Sequence, residues 1–303
     1  MSLARPLALL VHKSPSKAFA RFPLIQPEIQ APFASARRLF DYLRADPAAA
    51  SALNATYPKR GIIKTAATHN ASTDQKFTID LSPARTDLIP SALRGTLGAQ
   101  GLDDVLGFFS GAVTLYVDPL LRALSALAGA DFAPAHAARN LNFRLCDYHP
   151  ATAAPASANG CGAHTDYGTF SVIFQDGTPG LEMEAADGSW VPVPGDATVV
   201  LTGWCAVVLS GGRIAAARHR VRRTPGVRRL SAVLFAAPDL DVALRPLTGV
   251  VPARRFSDTV MRGEIDVRWF KETMGKTWRK REGNEPGGVR VSQDSEIEKL
   301  IWG

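Results

Sequence analysis

Cysteine is scarce in this sequence: three in 303 residues, at Cys146, Cys161 and Cys205. An odd number without paired spacing argues against a disulfide framework and a thiolate zinc cluster. Three small buried side chains in a reducing compartment are expected instead, which points to the cytoplasm. Long apolar runs are missing too. No uninterrupted stretch approaches the roughly 18–20 residues that cross a bilayer, so no membrane partner is expected. The opening MSLARPLALLVHK offers only Leu7–Val11 as an apolar segment and no small-residue cleavage site, unlike a secretion signal. Internal repeats and long low-complexity linkers are also absent.

What is present is ordinary globular material: 46% hydrophobic and 21% charged residues, with a formal net charge of +7. That length admits one large domain or two. The densest basic stretch is Arg213–Arg229, which raises nucleic acid or an acidic ligand as a partner. If His219 points into the barrel, alternation sends Arg218, Arg220 and Arg222 outward. Most of the cluster is then a solvated outer face without interleaved aromatics, and no nucleic-acid partner is expected.

Periodicity divides the chain. Residues 1–32 are proline-rich with little pattern. SARRLFDYLRAD (35–46) reads as a helix stopped by Pro47, and 47–75 as loop with short helical turns. From Leu102, apolar residues recur at three- and four-residue steps to Leu127, with a kink or break expected at Pro119 and a stop at Gly129. After 140 the texture becomes β: runs at 141–149, 169–175, 180–184, 190–193, 197–202, 205–209, 219–223 and 230–236, punctuated by Gly-containing turns. Such close spacing predicts a mainly β fold with flanking helices, its core a jelly roll or double-stranded β-helix of about eight strands. Phe170, Val172 and Phe174 are expected to line that barrel. Helices return at 257–263 and 266–275, ending at Gly263 and Gly275. Beyond Arg279 a mobile charged stretch is expected before a last turn at 296–303. The division is therefore 1–140 as a helical or irregular region packing on the core, 141–238 as the jelly-roll core, and 239–303 as a helical segment and tail, in one structural unit.

The chemistry concentrates in the core. GAHTDYGTF places His164 and Asp166 two apart, a spacing that puts both on one face of extended backbone. His219 opens HRVRR, 55 residues later. Two imidazoles and a carboxylate on one side of an ion suit iron(II) and leave positions open, whereas structural zinc closes all four. Ten residues beyond His219 comes R-L-S, with Arg229 and Ser231 on one strand face. A buried arginine requires an anion, and its planar fork suits a carboxylate. The remaining histidines, His12, His69, His136 and His149, have no spacing partners and read as surface or locally hydrogen-bonded residues.

H-T-D, a distal H-R-V and R-x-S ten residues on resemble the iron(II)/2-oxoglutarate-dependent dioxygenases of the isopenicillin N synthase-like family. The likeness is strongest over 141–238 and continues more weakly through 74–81 and the 102–128 helix. It implies an oxidoreductase with iron ligands His164, Asp166 and His219, and with Arg229 and Ser231 holding the distal carboxylate of 2-oxoglutarate. Tyr148, in FRLCDYHP, stands where many members carry a tyrosine near that carboxylate. Cys146 replaces the family's Asn, and Gly203-Trp204 its Gly-Asp. The cofactors implied are Fe(2+), 2-oxoglutarate and O2, with ascorbate supportive. The implied activity is oxidation of a C–H bond (hydroxylation, desaturation or cyclisation) with release of succinate and CO2. The expected partner is a small-molecule substrate, acidic or amino-acid-like, of secondary metabolism. Two alternatives stand beside it: an iron-dependent oxidase that needs no keto acid, and a non-catalytic jelly-roll protein that binds a ligand.

Overall fold

The computed structural model describes residues 7–10, 20–22, 27–58, 61–64, 74–154, 157–282 and 293–303. Its helices obey the burial rule read from the sequence, though their bounds shift. α1 (Gln30–Ala45) starts earlier than expected and buries Phe33, Ala36, Leu39, Phe40 and Leu43 along one stripe. Pro47 does end it, but by opening a second helix, α2 (Pro47–Ala55), where loop was expected. Asp46 caps that helix by accepting from the Ala49 N–H at 3.0 Å. The short α3 (Pro83–Thr86) and α4 (Ser91–Ala99) lead into α5 (Leu102–Ala128).

α5 runs through Pro119 without a break, one of the two outcomes expected there. Proline removes the N–H that would bond the Leu115 carbonyl, and Leu115 lies on the exposed side, where water can serve that oxygen. By length and composition α5 is apolar enough to cross a membrane, although residues such as Asp118 and Arg122 interrupt its apolar runs. Its buried face, from Val105 through Phe109 and Tyr116 to Leu124, packs instead on the main sheet.

Among the described residues the strands form two sheets. The strands are β1 (Leu7–Leu10), β2 (Ala20–Phe22), β3 (Ile63–Lys64), β4 (Phe77–Asp80), β5 (Asn140–Tyr148), β6 (Asn159–His164), β7 (Phe170–Gln175), β8 (Leu181–Glu184), β9 (Trp190–Pro192), β10 (Val199–Thr202), β11 (His219–Arg222) and β12 (Arg229–Ala237). The larger sheet has the order β2-β1-β10-β7-β12-β5-β4-β3, the smaller β6-β11-β8-β9. The jelly roll is thus widened on both flanks by strands from the N-terminal stretch, which had been expected as helical or irregular. β1 pairs in parallel with β10, and β4 pairs antiparallel with β5.

The two faces of the large sheet do different things. Phe170, Val172 and Phe174 on β7 join Leu230, Ala232 and Leu234 on β12 in the core shared with α1 and α5. Phe174 meets Phe108 edge-on, with ring centroids 4.9 Å apart. These residues do not line the barrel, as expected from the sequence, but face its helical buttress. The barrel interior belongs to the alternate set, in register rows across the strands. One row is Gln175, Ser231, Cys146 and Thr78. The next is Val199, Ile173, Val233, Arg144 and Asp80; the third is Leu201, Ser171, Phe235 and Asn142.

The segment 205–209 was expected as a strand and is helical: α6 (Trp204–Leu209) is buried on every side. A short, wholly apolar run has no period that separates the two states. Gly203 forces the change of direction, since a Cβ there would stand 2.4 Å from the Gly168 carbonyl oxygen. β6 escaped notice for the opposite reason: NGCGAH carries glycines and no β-branched residue. After β12, α7 (Asp258–Met261) is capped by Ser257, and α8 (Val267–Glu282) continues past Gly275, where a stop was expected. α9 (Gln293–Ile301) closes the fold, burying Ile297 and Ile301 against Phe256 and Phe270. The expectation for 283–292 lies outside the described residues.

Candidate metal centre and co-substrate pocket

β6 and β11 are antiparallel neighbours, and their register sets His164 directly opposite His219. Cross-strand pairing therefore converges two imidazoles from positions 55 apart in sequence. Their ring centroids are 4.1 Å apart and both residues are buried. His164 Nδ1 stands 2.7 Å from the Gly162 carbonyl and His219 Nδ1 3.1 Å from that of Ala217. A carbonyl only accepts, so each Nδ1 carries the proton and each Nε2 keeps its lone pair for a metal.

Asp166 follows β6 in the connection to β7. Its Oδ1 is 3.8 Å from His164 Nε2, and one donor atom from each of His164, Asp166 and His219 lies within 4.8 Å of the others. Ser171 on the inner face of β7 donates to Asp166 Oδ2 at 2.5 Å, which fixes the carboxylate and leaves Oδ1 turned to the histidines. The connection itself is held from behind. The Trp204 N–H donates to the Asp166 carbonyl, and the Trp204 indole donates to Thr165 Oγ1 at 2.7 Å. Thr165 in turn donates to Asp294 Oδ1 at 2.6 Å, and Arg218 Nε donates to Asp294 Oδ2 at 2.6 Å. One carboxylate of α9 thus ties the H-T-D turn to the residue before His219.

Arg229 is 4% exposed at the other end of the barrel. It lies opposite Tyr148 in register, its guanidinium carbon 5.2 Å from that ring. Nη2 donates to Gln175 Oε1 at 2.7 Å and Nε to the Thr178 carbonyl at 3.2 Å. Nη1 is buried with no protein partner. An unmet guanidinium N–H in a dry place is costly, so the arrangement fits an added acceptor such as a carboxylate. Ser231 is buried on the same face, in the row between Gln175 and Cys146. Burial pushes the Tyr148 hydroxyl well above its ordinary pKa, keeping it a neutral donor.

Residues 139–238 match the model of the 2OG-Fe(II) oxygenase superfamily. The match is confined to the jelly-roll core, about a third of the chain. The scopoletin 8-hydroxylase of Arabidopsis thaliana is 36% identical over 107 residues, which is 35% of this chain and 30% of that protein. The gibberellin 2-beta-dioxygenase 1 of the same plant is 34% identical over 116 residues, 36% of this chain and 35% of its own length. The chain therefore spans about a third of the length of these relatives. The rice dioxygenase for auxin oxidation shares the fold, with a TM-score of 0.62 at 22% identity, over 91% of this chain and 87% of that one.

Around the six expected site residues, the structure brings in others that the sequence reading passed over. Ser171 and Gln175 lie on the face of β7 that had been taken for the outer one. Lys76 sits 2.9 Å from Cys161 Sγ and 3.2 Å from Asp74 Oδ2, with the Tyr148 and Trp278 rings within 6 Å. Burial lowers the Lys76 pKa, but Asp74 together with Cys161, Tyr148 and Cys146 outweighs it and holds the ammonium above its ordinary range. The Trp278 ring stands edge-on to His164, with centroids 4.5 Å apart. None of these carries a motif; only alternation on β7 could have exposed Ser171 and Gln175.

The other expectations are quickly placed. Cys146, Cys161 and Cys205 are buried thiols, and none of them is in a disulfide. His136 meets the second of its two expectations: it is buried and hydrogen-bonded, with Nδ1 2.7 Å from the Phe132 carbonyl and Nε2 2.7 Å from Thr169 Oγ1. His149 caps a turn at Ala151, while His12 and His69 lie outside the described residues. The arginine cluster is ion-paired more than solvated: Arg220 meets Glu182 at 2.6 Å, Arg218 meets Glu184 at 2.6 Å, and Arg228 meets Asp147 at 2.7 Å.

Proposed function

We propose that this chain is a non-haem iron(II), 2-oxoglutarate-dependent oxygenase that oxidises a C–H bond of a small, acidic or amino-acid-like metabolite in a cytoplasmic setting. The observation that carries this reading is the pairing of two sites in one barrel. One end holds two Nε2 lone pairs and a pinned carboxylate; the other holds a buried arginine with an unused N–H.

His164, His219 and Asp166 Oδ1 would hold the iron, and two imidazoles with one carboxylate are the donor set that iron(II) takes while keeping positions open. Iron(II), when bound with 2-oxoglutarate, supplies the activation of O2 and the oxidative decarboxylation to succinate and CO2 that drive C–H oxidation. The rest falls to the chain. Arg229 receives the distal carboxylate of the keto acid, with the Ser231 and Tyr148 hydroxyls beside it. The Gly162 and Ala217 carbonyls keep both histidines in the ligating tautomer, and Ser171 keeps Asp166 from rotating. Ile173, Val199, Leu201 and Val233 make the wall between the two ends apolar, which excludes water from the reacting atoms.

The test is release of labelled CO2 and succinate from 1-labelled 2-oxoglutarate, with iron(II), ascorbate and oxygen. The wild type is expected to turn the keto acid over slowly without substrate and faster with it. His219→Ala should abolish turnover and iron retention. Arg229→Gln should retain iron but weaken 2-oxoglutarate binding by about a hundredfold, as a lost charge-assisted pair does. Oxygen consumption indifferent to 2-oxoglutarate would replace this reading with an oxidase, and failure to retain iron would replace it with a binding protein.

A further inference from the structure

We propose that Lys64, Arg85 and Arg144, gathered around the buried carboxylate of Asp80, form the subsite that takes a carboxylate of the organic substrate. The proposal rests on the oxygenase reading above and names the group by which that oxygenase would hold its substrate.

Asp80 is fully buried at the end of β4. Arg144 donates to it twice, Nε to Oδ1 at 2.8 Å and Nη2 to Oδ2 at 3.2 Å. Lys64 Nζ stands 3.5 Å from Oδ2, and Arg85 Nη1 3.7 Å from the same oxygen. Asn142 bridges the group, accepting from Arg85 Nη1 at 3.2 Å and donating to Asp80 Oδ1 at 3.4 Å. Arg85 Nε is buried without a partner. Three cations thus share one carboxylate, which leaves two positive charges in excess.

Several other cations of the barrel are matched by carboxylates, whereas Arg223 is held by the Gln75 and His149 carbonyls and Arg229 by Gln175 and the Thr178 carbonyl. Arg218 has Glu184 and Asp294, Arg220 has Glu182, Arg228 has Asp147 and Asp41, and Lys76 has Asp74. Asp80 differs from these in having three cations gathered on one carboxylate. Clustered cations repel one another, and an anion that joins them offsets that repulsion. The co-substrate does not fill that need: iron(II), the Asp166 carboxylate, a 2-oxoglutarate dianion and Arg229 already make a neutral set.

Position points the same way. Asp80 and Arg144 end the register row that begins at Val199, Ile173 and Val233 inside the barrel. The Arg144 guanidinium carbon lies 5.6 Å from the Phe235 ring. Phe235 pairs across β12 and β7 with Ser171, the residue that grips Asp166. Phe235 is only partly buried, and 30% of the Arg144 side chain remains accessible. A ligand with its carboxylate at Arg144 and Arg85 and its hydrocarbon on Phe235 would extend toward Asp166. The class that fits is a small carboxylic acid with an apolar body.

The experiment uses the full chain, loaded anaerobically with iron(II) and saturated with 2-oxoglutarate so that Arg229 is occupied. A panel of aromatic and alicyclic monocarboxylic acids is titrated by calorimetry, each acid against its primary amide. The wild type should prefer acids. Arg85→Gln should weaken acids by about tenfold, the loss of one charge-assisted contact, and leave amides unchanged. Lys64→Gln should do so less, because its side chain is 47% exposed. Arg144→Gln alone strips Asp80 of its nearest partner, so the charge-matched pair Asp80→Asn with Arg144→Gln keeps the test valid if the single variant does not fold. Equal binding of acids and amides, an acid preference that survives in Arg85→Gln and in the paired variant, or no acid bound at millimolar concentration would each overturn the subsite. The 2-oxoglutarate affinity, titrated separately, should be the same in every one of these variants. Loss of that affinity in the wild type sinks the oxygenase reading, whereas acid selectivity reports on the subsite alone.

Discussion

The two faces of β7 are one strand apart in chemistry and nothing apart in sequence. Outward, Phe170, Val172 and Phe174 interlock with α5 and hold the sheet to its buttress. Inward, Ser171 holds the Asp166 carboxylate, Ile173 lies in the dry wall and Gln175 holds Arg229. All six residues are buried, so burial alone does not distinguish a structural side chain from a functional one. What distinguishes them is the partner: apolar surface on one face, polar groups with an assigned job on the other.

That contrast can be broken by substitution. The largest effect is expected on the outer face. Phe174→Ala should cost about 3–5 kcal/mol in chemical denaturation, the usual price of an aromatic deleted from a core, while iron affinity measured on the folded fraction stays near wild type. A large fall in iron affinity with unchanged stability would reverse the assignment of the two faces. On the inner face, Ser171→Ala should do the opposite: stability within about 1 kcal/mol, and iron affinity down by about ten- to a hundredfold, because removing a ligand's hydrogen-bond partner has that effect. Asp294→Ala sharpens the comparison from outside the barrel. It leaves Thr165 and Arg218 without their shared acceptor, and should lower iron affinity by about tenfold, with Glu184 still holding Arg218. A stability loss without a change in iron binding would make Asp294 a scaffold residue only.

The smallest effect concerns His136, which supports Thr169 just before β7. Burial lowers its pKa, so the folded protein prefers it neutral while the unfolded chain protonates it near the ordinary value of about 6.5. Its contribution is therefore complete above that pH and declines as pH falls below it toward the lower folded value. His136→Gln should flatten the slope of stability against pH in that window. An unchanged slope would show that the imidazole is not what titrates there.

Much of the site was legible before any coordinates. The spacing of His164, Asp166, His219, Arg229 and Ser231 carries its chemistry in residue types, because few side chains ligate iron(II) or fork onto a carboxylate. The strands around them were legible where β-branched and aromatic residues alternate, as in β5, β7 and β12. Legibility failed where a segment lacks a period of its own. Trp204–Leu209 is apolar throughout and became helix, while Asn159–His164 is glycine-containing and became the strand that presents His164. The short N-terminal strands were equally silent, since each consists of a few residues that pair only because a sheet edge is waiting for them.

By itself, then, the sequence determined which donors exist and in what order along the chain, because ligand chemistry is a property of single side chains. It did not determine which face of β7 looks inward, that Asp294 reaches the H-T-D turn from 129 residues away, or that three cations crowd one carboxylate at Asp80. Those were decided only by tertiary structure, since alternation fixes that two faces exist but packing against α5 selects which one is core. Long-range charge balance, likewise, has no meaning until the chain has brought distant residues together.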